Sequence, residues 1–310
     1  MKQQSSRGLT VFLFLFAALV LAVALPLRIW QQLNLVESGN GFWKAGSATI
    51  PVLYAALGLL AAAPFVTGLM FRKQVVLDLG RRARVAEGAV ALIVAFTLVV
   101  NALGALQFAF QLFTGQVVAE GLDHQPGASP LQYFIRSGAV AALFEALFGA
   151  AATVFFCNLA LIDFLPRKKI FLNRLLALAP LLWVIARILR RFSRTIAYLR
   201  VSDLFLTLMA LTMLMVFFLA FAQLLGGVNN ARKEWVLAAA GIPAFALLLL
   251  CFVPRVVAYR LVGGAEPSQD AAMELCDAAV AAFICVFLAG RLLRQESGGE
   301  EEQDLPVAGE

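Results

Sequence analysis

Eight apolar stretches, each close to the length a helix needs to cross a bilayer, fill most of this chain. They run over 9–30, 48–71, 88–113, 139–162, 170–189, 204–225, 235–253 and 275–293. A hydrocarbon core takes about 20 apolar residues in helical form. The stretches are continuous rather than alternating, and they far exceed the roughly 10 residues of a barrel strand. In lipid a backbone finds no water to bond, so such runs become helices that satisfy their own amides and carbonyls. The predicted fold class is therefore all-α, a polytopic membrane helix bundle. Eight transmembrane helices are the first reading, and seven plus a re-entrant segment the second.

Little soluble chain is left over. Charged residues make up 14% of the sequence, against roughly a quarter in soluble domains. The longest pieces between stretches, 114–138 and 254–274, are too short to fold alone. Residues 1–294 thus read as a single transmembrane domain. Residues 295–310, which include Glu300, Glu301 and Glu302, read as an acidic, disordered cytoplasmic tail.

The net charge of +6 does not point to nucleic acid. Its bases gather at the ends of the apolar stretches, where they orient helices and meet anionic lipid headgroups. The expected partner is the bilayer, with a membrane protein partner left open. Cys157, Cys251, Cys276 and Cys285 all lie in or at the ends of apolar stretches, so they carry no sign of an oxidising compartment. Lys2 and Arg7 before an apolar run, with Ala22 and Ala24 as small residues at −3 and −1 of a cleavage site, resemble a signal peptide. The run is longer than the usual signal core of about 7–15 residues, so an uncleaved first span is expected.

Lysine and arginine placement sets the orientation. Arg72, Lys73, Arg81, Arg82 and Arg84 between the second and third stretches face the cytoplasm on this rule, as do Arg167, Lys168, Lys169 and Arg174 between the fourth and fifth. With Lys2 and Arg7, they place both termini in the cytoplasm and the chain in the plasma (cytoplasmic) membrane. The rule then meets a conflict. Arg187, Arg190, Arg191, Arg194 and Arg200 follow the fifth stretch, and eight crossings put them outside. A fifth stretch that dips in and returns, helped by a break at Pro180, would put them inside. The segment reads as an amphipathic interfacial helix whose arginines lie on headgroups, or as a basic mouth for an anionic solute.

An ionisable side chain inside a membrane helix is expensive and so is a functional hypothesis by default. Glu145 is the clearest. Ala141, Glu145, Gly149 and Thr153 recur every fourth residue and share a helix face, and small residues let helices approach closely. Glu145 should point into the bundle, as a protonation site, a cation ligand or a packing hydrogen bond. Asn101, Gly104, Gln107 and Gln111 form one polar stripe on the third stretch. The stripe and Glu145 form the candidate substrate- or ion-binding site, a polar cavity open to the outside. Glu274 and Asp277 open the last stretch, where a helix N-terminus favours carboxylates. Pro64, Pro180 and Pro243 interrupt stretches, and broken helices often mark transporter sites.

What is absent narrows the function further. There is no phosphate-binding Gly-x-x-x-x-Gly-Lys loop, no Cys-x-x-Cys and no Gly-x-Ser-x-Gly, and His124 is the only histidine. No cofactor, metal site or enzymatic activity is expected. Two functions remain: a transporter-like protein for a small or lipidic solute, or a non-catalytic subunit or scaffold of a larger membrane assembly.

Overall fold

A computed structural model of the chain describes residues 2–35, 47–70, 85–114, 137–165, 175–193, 201–226, 234–262 and 271–292. Eight α-helices and no strand stand among these residues: α1 (Lys2–Asn34), α2 (Thr49–Met70), α3 (Val85–Phe113), α4 (Ala139–Phe164), α5 (Ala179–Ser193), α6 (Val201–Leu225), α7 (Glu234–Val262) and α8 (Ala271–Leu292). A short 3-10 turn, Leu176–Leu178, leads into α5. Each helix overlaps one predicted stretch, since continuous apolar sequence leaves the backbone no other way to satisfy itself in lipid. Gly138 caps α4 at φ 80°, a left-handed conformation that costs glycine little.

Six helices are long and apolar enough to cross a membrane: Val11–Asn34 within α1, Thr49–Met70, Val85–Phe113, Ala139–Phe164, Leu204–Leu225 within α6 and Trp235–Val257 within α7. These make the chain a multi-pass membrane protein by length and composition. The other two differ from the sequence expectation of eight equivalent spans. The apolar part of α8 is shorter, Leu275–Gly290. α5 has 15 residues with Arg190 and Arg191 in its last turn.

All eight helices alternate in direction, as their contacts show. At one end, called upper here, Gln31 near the close of α1 donates to the Thr49 carbonyl at the opening of α2. Tyr54 early in α2 stacks edge-on with Phe205 early in α6. Arg255 late in α7 donates to the Thr207 hydroxyl early in α6. At the lower end, Gly68 of α2 lies under the Trp235 ring at the start of α7, and Gly88 at the start of α3 lies against Asp163 and Phe164 at the end of α4. Gly241, early in α7, sits against Leu288, late in α8. A Cβ on Gly68 or Gly241 would come within 2.6 or 2.7 Å of those neighbours, so glycine is what allows these helices to approach so closely.

The helices close into a ring. α3 packs against α4 and α8, α4 against α5, α5 against α6, α6 against α7, and α7 against α8. α1 and α2 pack against α7 and each other from outside that ring. The middle of the ring is filled by phenylalanine. Phe155 and Phe156 of α4, Phe217, Phe218 and Phe221 of α6, and Phe283 and Phe287 of α8 are all fully buried. Phe156 meets Phe283 with centroids 5.2 Å apart, and Phe221 meets Phe287 at 5.1 Å. Phe155 reaches Phe221 at 6.1 Å. Most of these pairs are edge-to-face, the arrangement that ring quadrupoles favour by about 0.5–1.5 kcal/mol. They join helices that are not neighbours in the ring, so they cross its centre.

The prolines do not break their helices. α2 runs unbroken through Pro64, and α7 through Pro243 and Pro254. Pro180 is not mid-span but in the first turn of α5, where a missing N–H leaves no helical bond unmade. The predicted break at Pro180, and the broken helices at Pro64 and Pro243, give way to continuous helix.

Candidate functional site

α5 is inside out for a soluble helix. Leu182, Leu189 and Phe192 face outward on one side, with Leu178 of the preceding turn, while Trp183, Val184, Ala186, Arg187 and Arg190 are buried on the other. A helix with its polar face turned into the bundle and its apolar face turned out suits a lipid surround, where the outside is the apolar phase. Trp183, Arg187 and Arg190 stand at i, i+4 and i+7 and so form one row on the buried face.

Each member of that row meets a different helix. The Trp183 indole N–H donates to Asn101 Oδ1 of α3 at 3.3 Å. Gly149 of α4 makes room beside it, since a Cβ there would stand 3.4 Å from Trp183 Cδ1. Arg187 forks onto Asp277 of α8, Nη1 donating to Oδ1 and Nη2 to Oδ2 at 3.1 Å. Arg190 Nη1 donates to Glu145 Oε2 of α4 at 2.8 Å. The Arg187 guanidinium lies over the Trp183 ring at 4.9 Å, and the Arg190 guanidinium over the Phe108 ring at 5.0 Å. Arg187 and Arg190 stand about one turn apart on the buried face of α5, which places the two pairs side by side in one cluster. Cys276, next to Asp277 in sequence, is buried beside the same charges.

Glu145 is 0% exposed, Arg187 2%, Arg190 4% and Asp277 6%. Two guanidinium and two carboxylate groups give a cluster without net formal charge, the condition under which ionised groups tolerate a low dielectric. The hydrogen bonding is nonetheless incomplete. Glu145 Oε1, Arg187 Nε and Arg190 Nε are buried without a hydrogen-bond partner. One acceptor and two donors therefore remain unused within a few ångströms of the ion pairs.

The cluster lies in the upper part of the ring. Glu145 is six residues from the start of α4 and Asp277 six from the start of α8, about 9 Å along each axis. Phe156 is eleven residues further down α4, about 16 Å below Glu145. Polar groups thus occupy the ring above, and phenylalanine fills it below.

The expected site residues separate in the structure. Glu145 points into the bundle, and Asn101 is buried against Trp183. Gln107 is exposed, Gln111 is half-buried, and Gly104 has open space before it. The polar stripe therefore does not line a common path with Glu145. The reason is the alanine face of α3: Ala91, Ala95, Ala102, Ala105 and Ala109 are buried, because small residues allow the closest helix packing. Asn101 lies at the edge of that face, and the rest of the stripe lies beside it. Thr153, on the Glu145 face, bonds back to the Gly149 carbonyl of its own helix.

The arginine segment also differs from expectation. Arg187 and Arg190 are not on headgroups but inside the bundle, because carboxylates there neutralise them and the leucine side of α5 takes the outward position. Arg191 is half-buried. Arg194, Arg200 and the acidic tail lie outside the described residues. Asp277, expected to be a helix-end carboxylate, turns out to be an ion-pair partner. Trp183, Arg28 and Gln31 carry buried polar groups that sequence reasoning passed over. The available signal was spacing: Trp183, Arg187 and Arg190 share a face opposite Leu178, Leu182 and Leu189. An arginine on a membrane helix calls for a carboxylate on another.

No family model, curated protein or solved structure matches the chain.

Proposed function

We propose that the chain is a transporter-like protein of the plasma membrane that handles a small or lipidic solute, with eight crossings, both termini cytoplasmic and no catalytic role. The observation that carries this reading is the buried quartet Glu145, Arg190, Arg187 and Asp277, held above a phenylalanine-filled lower ring. Intramembrane charges are costly, and they recur where a solute or ion must be recognised within the bilayer. A polar upper half over an apolar lower half suits a carrier that recognises its solute on one side of an apolar plug.

Eight crossings are favoured by the alternation of all eight helices. As numbering rises from Trp183 to Arg190 on α5, the facing residues fall from Gly149 to Glu145 on α4 and rise from Asn101 to Phe108 on α3. This antiparallel run of α5 beside α4 supports a crossing rather than a re-entrant segment. By sequence the basic clusters around Arg72 to Arg84 and Arg167 to Arg174 follow α2 and α4, whose ends carry Gly68 and Asp163 at the lower end, and the positive-inside rule favours a cytoplasmic lower end. Arg187 and Arg190 conflict less with this orientation once carboxylates neutralise them.

A second reading is a non-catalytic subunit or scaffold, in which the quartet is a lock that holds α5 against α4 and α8. The bidentate Arg187–Asp277 fork favours it, since such geometry fixes helix position. Extraction in native lipid, followed by mass spectrometry of what co-purifies, separates the two. A lone protein carrying a defined lipid or small molecule is the expected result. A stoichiometric protein partner with no retained solute would overturn the transport reading in favour of the subunit.

A further inference from the structure

The two ion pairs are not equivalent. Asp277 uses both carboxylate oxygens on Arg187. Glu145 uses only Oε2, and its Oε1 is buried with no hydrogen-bond partner. The Nε donors of Arg187 and Arg190 are equally unused. The quartet therefore holds spare donors for an oxyanion and one carboxylate oxygen free to receive a proton.

Electroneutrality connects these two capacities. The quartet has no net formal charge, so a monoanion entering it alone would leave one uncompensated negative charge in a low-dielectric site, which is strongly disfavoured. A proton arriving with the anion removes that charge. The carboxylate that can take it with least loss is Glu145, because protonating Asp277 would undo a fork whereas Glu145 can take the proton on its unused Oε1 and keep its bond from Arg190 on Oε2. Glu145 is faced by Arg190 and Arg187 from α5 and by Cys276 from α8, with Asp277 beyond Arg187. α3 contributes Asn101 and the Phe108 ring.

We infer that this cluster is a binding site for one small oxyanion together with one proton: the anion on Arg190 and Arg187, the proton, drawn from solvent, on Glu145. The anion is a sulfonate-, carboxylate- or phosphate-type group, free in solution or carried on a lipid. The inference rests on the transport reading only for its purpose, and the site can bind without anything being carried.

The test uses the full chain in phosphatidylcholine nanodiscs, free of chloride, with methanesulfonate as probe because its own charge does not change with pH. Calorimetric titration in two buffers of different ionisation enthalpy reports protons taken up. One proton per anion is expected, with affinity falling about tenfold for each unit rise in pH, as linkage of one proton requires. Glu145→Gln mimics the protonated acid, so it should bind without proton uptake and without pH dependence, and its unfolding temperature should rise when the anion is added. Arg190→Gln should not bind.

Absence of binding to the wild type, binding without proton uptake, or an unchanged pH dependence in Glu145→Gln would each overturn the inference. The wild-type proton count decides even if both variants fail to fold. Native mass spectrometry in phosphatidylglycerol discs distinguishes the source of the anion. Lipid retained by the wild type but lost from Arg190→Gln marks a headgroup, and its absence with methanesulfonate still bound marks a free anion. Proton-linked binding with no solute crossing a reconstituted membrane would leave the site standing and the transport reading refuted. Solute crossing without anion binding would do the reverse.

Discussion

Arg187 has much to lose. It is almost fully buried, it forks onto one carboxylate, and its guanidinium lies over the Trp183 ring. Removing one side of a buried pair leaves the other charge uncompensated, at a cost of about 3–5 kcal/mol, whereas removing both together is often close to neutral. Arg187→Gln and Asp277→Asn should each destabilise the protein by that amount, and the double variant by far less. A double-mutant cycle read by denaturant unfolding in detergent checks it, and additive losses below about 1 kcal/mol would show that the fork contributes nothing. Sequence made half of this site legible. Glu145 announced itself as a carboxylate inside an apolar run and on a small-residue face. Its partner did not, because Arg190 sits near a helix end, where a long side chain can equally reach headgroups. Only three-dimensional neighbours distinguish an arginine that snorkels from one that turns inward.

At the level of elements, the apolar runs located every helix to within a few residues at most ends, because length and hydropathy alone decide what survives in lipid. α5 was the hardest to place. Its arginines argued against a crossing and its length argued for one, and no rule applied to single residues could weigh a charge that another helix neutralises. A reporter fused after Arg194 decides the matter: an external signal is expected from eight crossings, and a cytoplasmic one would restore the seven-crossing alternative. The alanine face of α3 teaches the complementary lesson. A polar stripe on a helical wheel looks like an inward face, yet Ala91, Ala95, Ala102, Ala105 and Ala109 took the interior. Close packing without a hydrophobic drive rewards small side chains over polar ones.

The whole molecule is organised around α7 and the six-helix ring it helps to close. Within its apolar span 72% of α7 is buried, against 28% for α1 and for α2. The lower ring depends on phenylalanines whose partners lie across its centre, so Phe156, which meets Phe218 and Phe283, bears on three helices at once. Phe156→Ala should cost about 3–5 kcal/mol of stability through the cavity it opens. Under the transport reading the same change should increase passive leak through reconstituted vesicles, and a destabilised but equally tight protein would show that the plug is packing alone.

The Arg187–Asp277 pair spans 90 residues of sequence. A ribosome adding about 5–20 residues per second therefore releases the arginine roughly 5–20 s before its carboxylate exists. Through that interval α5 carries a charge that a lone helix in lipid tolerates poorly, about 2.5–3.5 kcal/mol at the centre of the bilayer. The nascent chain must shelter it at the insertion machinery or at the water interface. The carboxylate arrives only with α8, and a chain that stops short of α8 exposes an unpaired charge that membrane quality control can recognise.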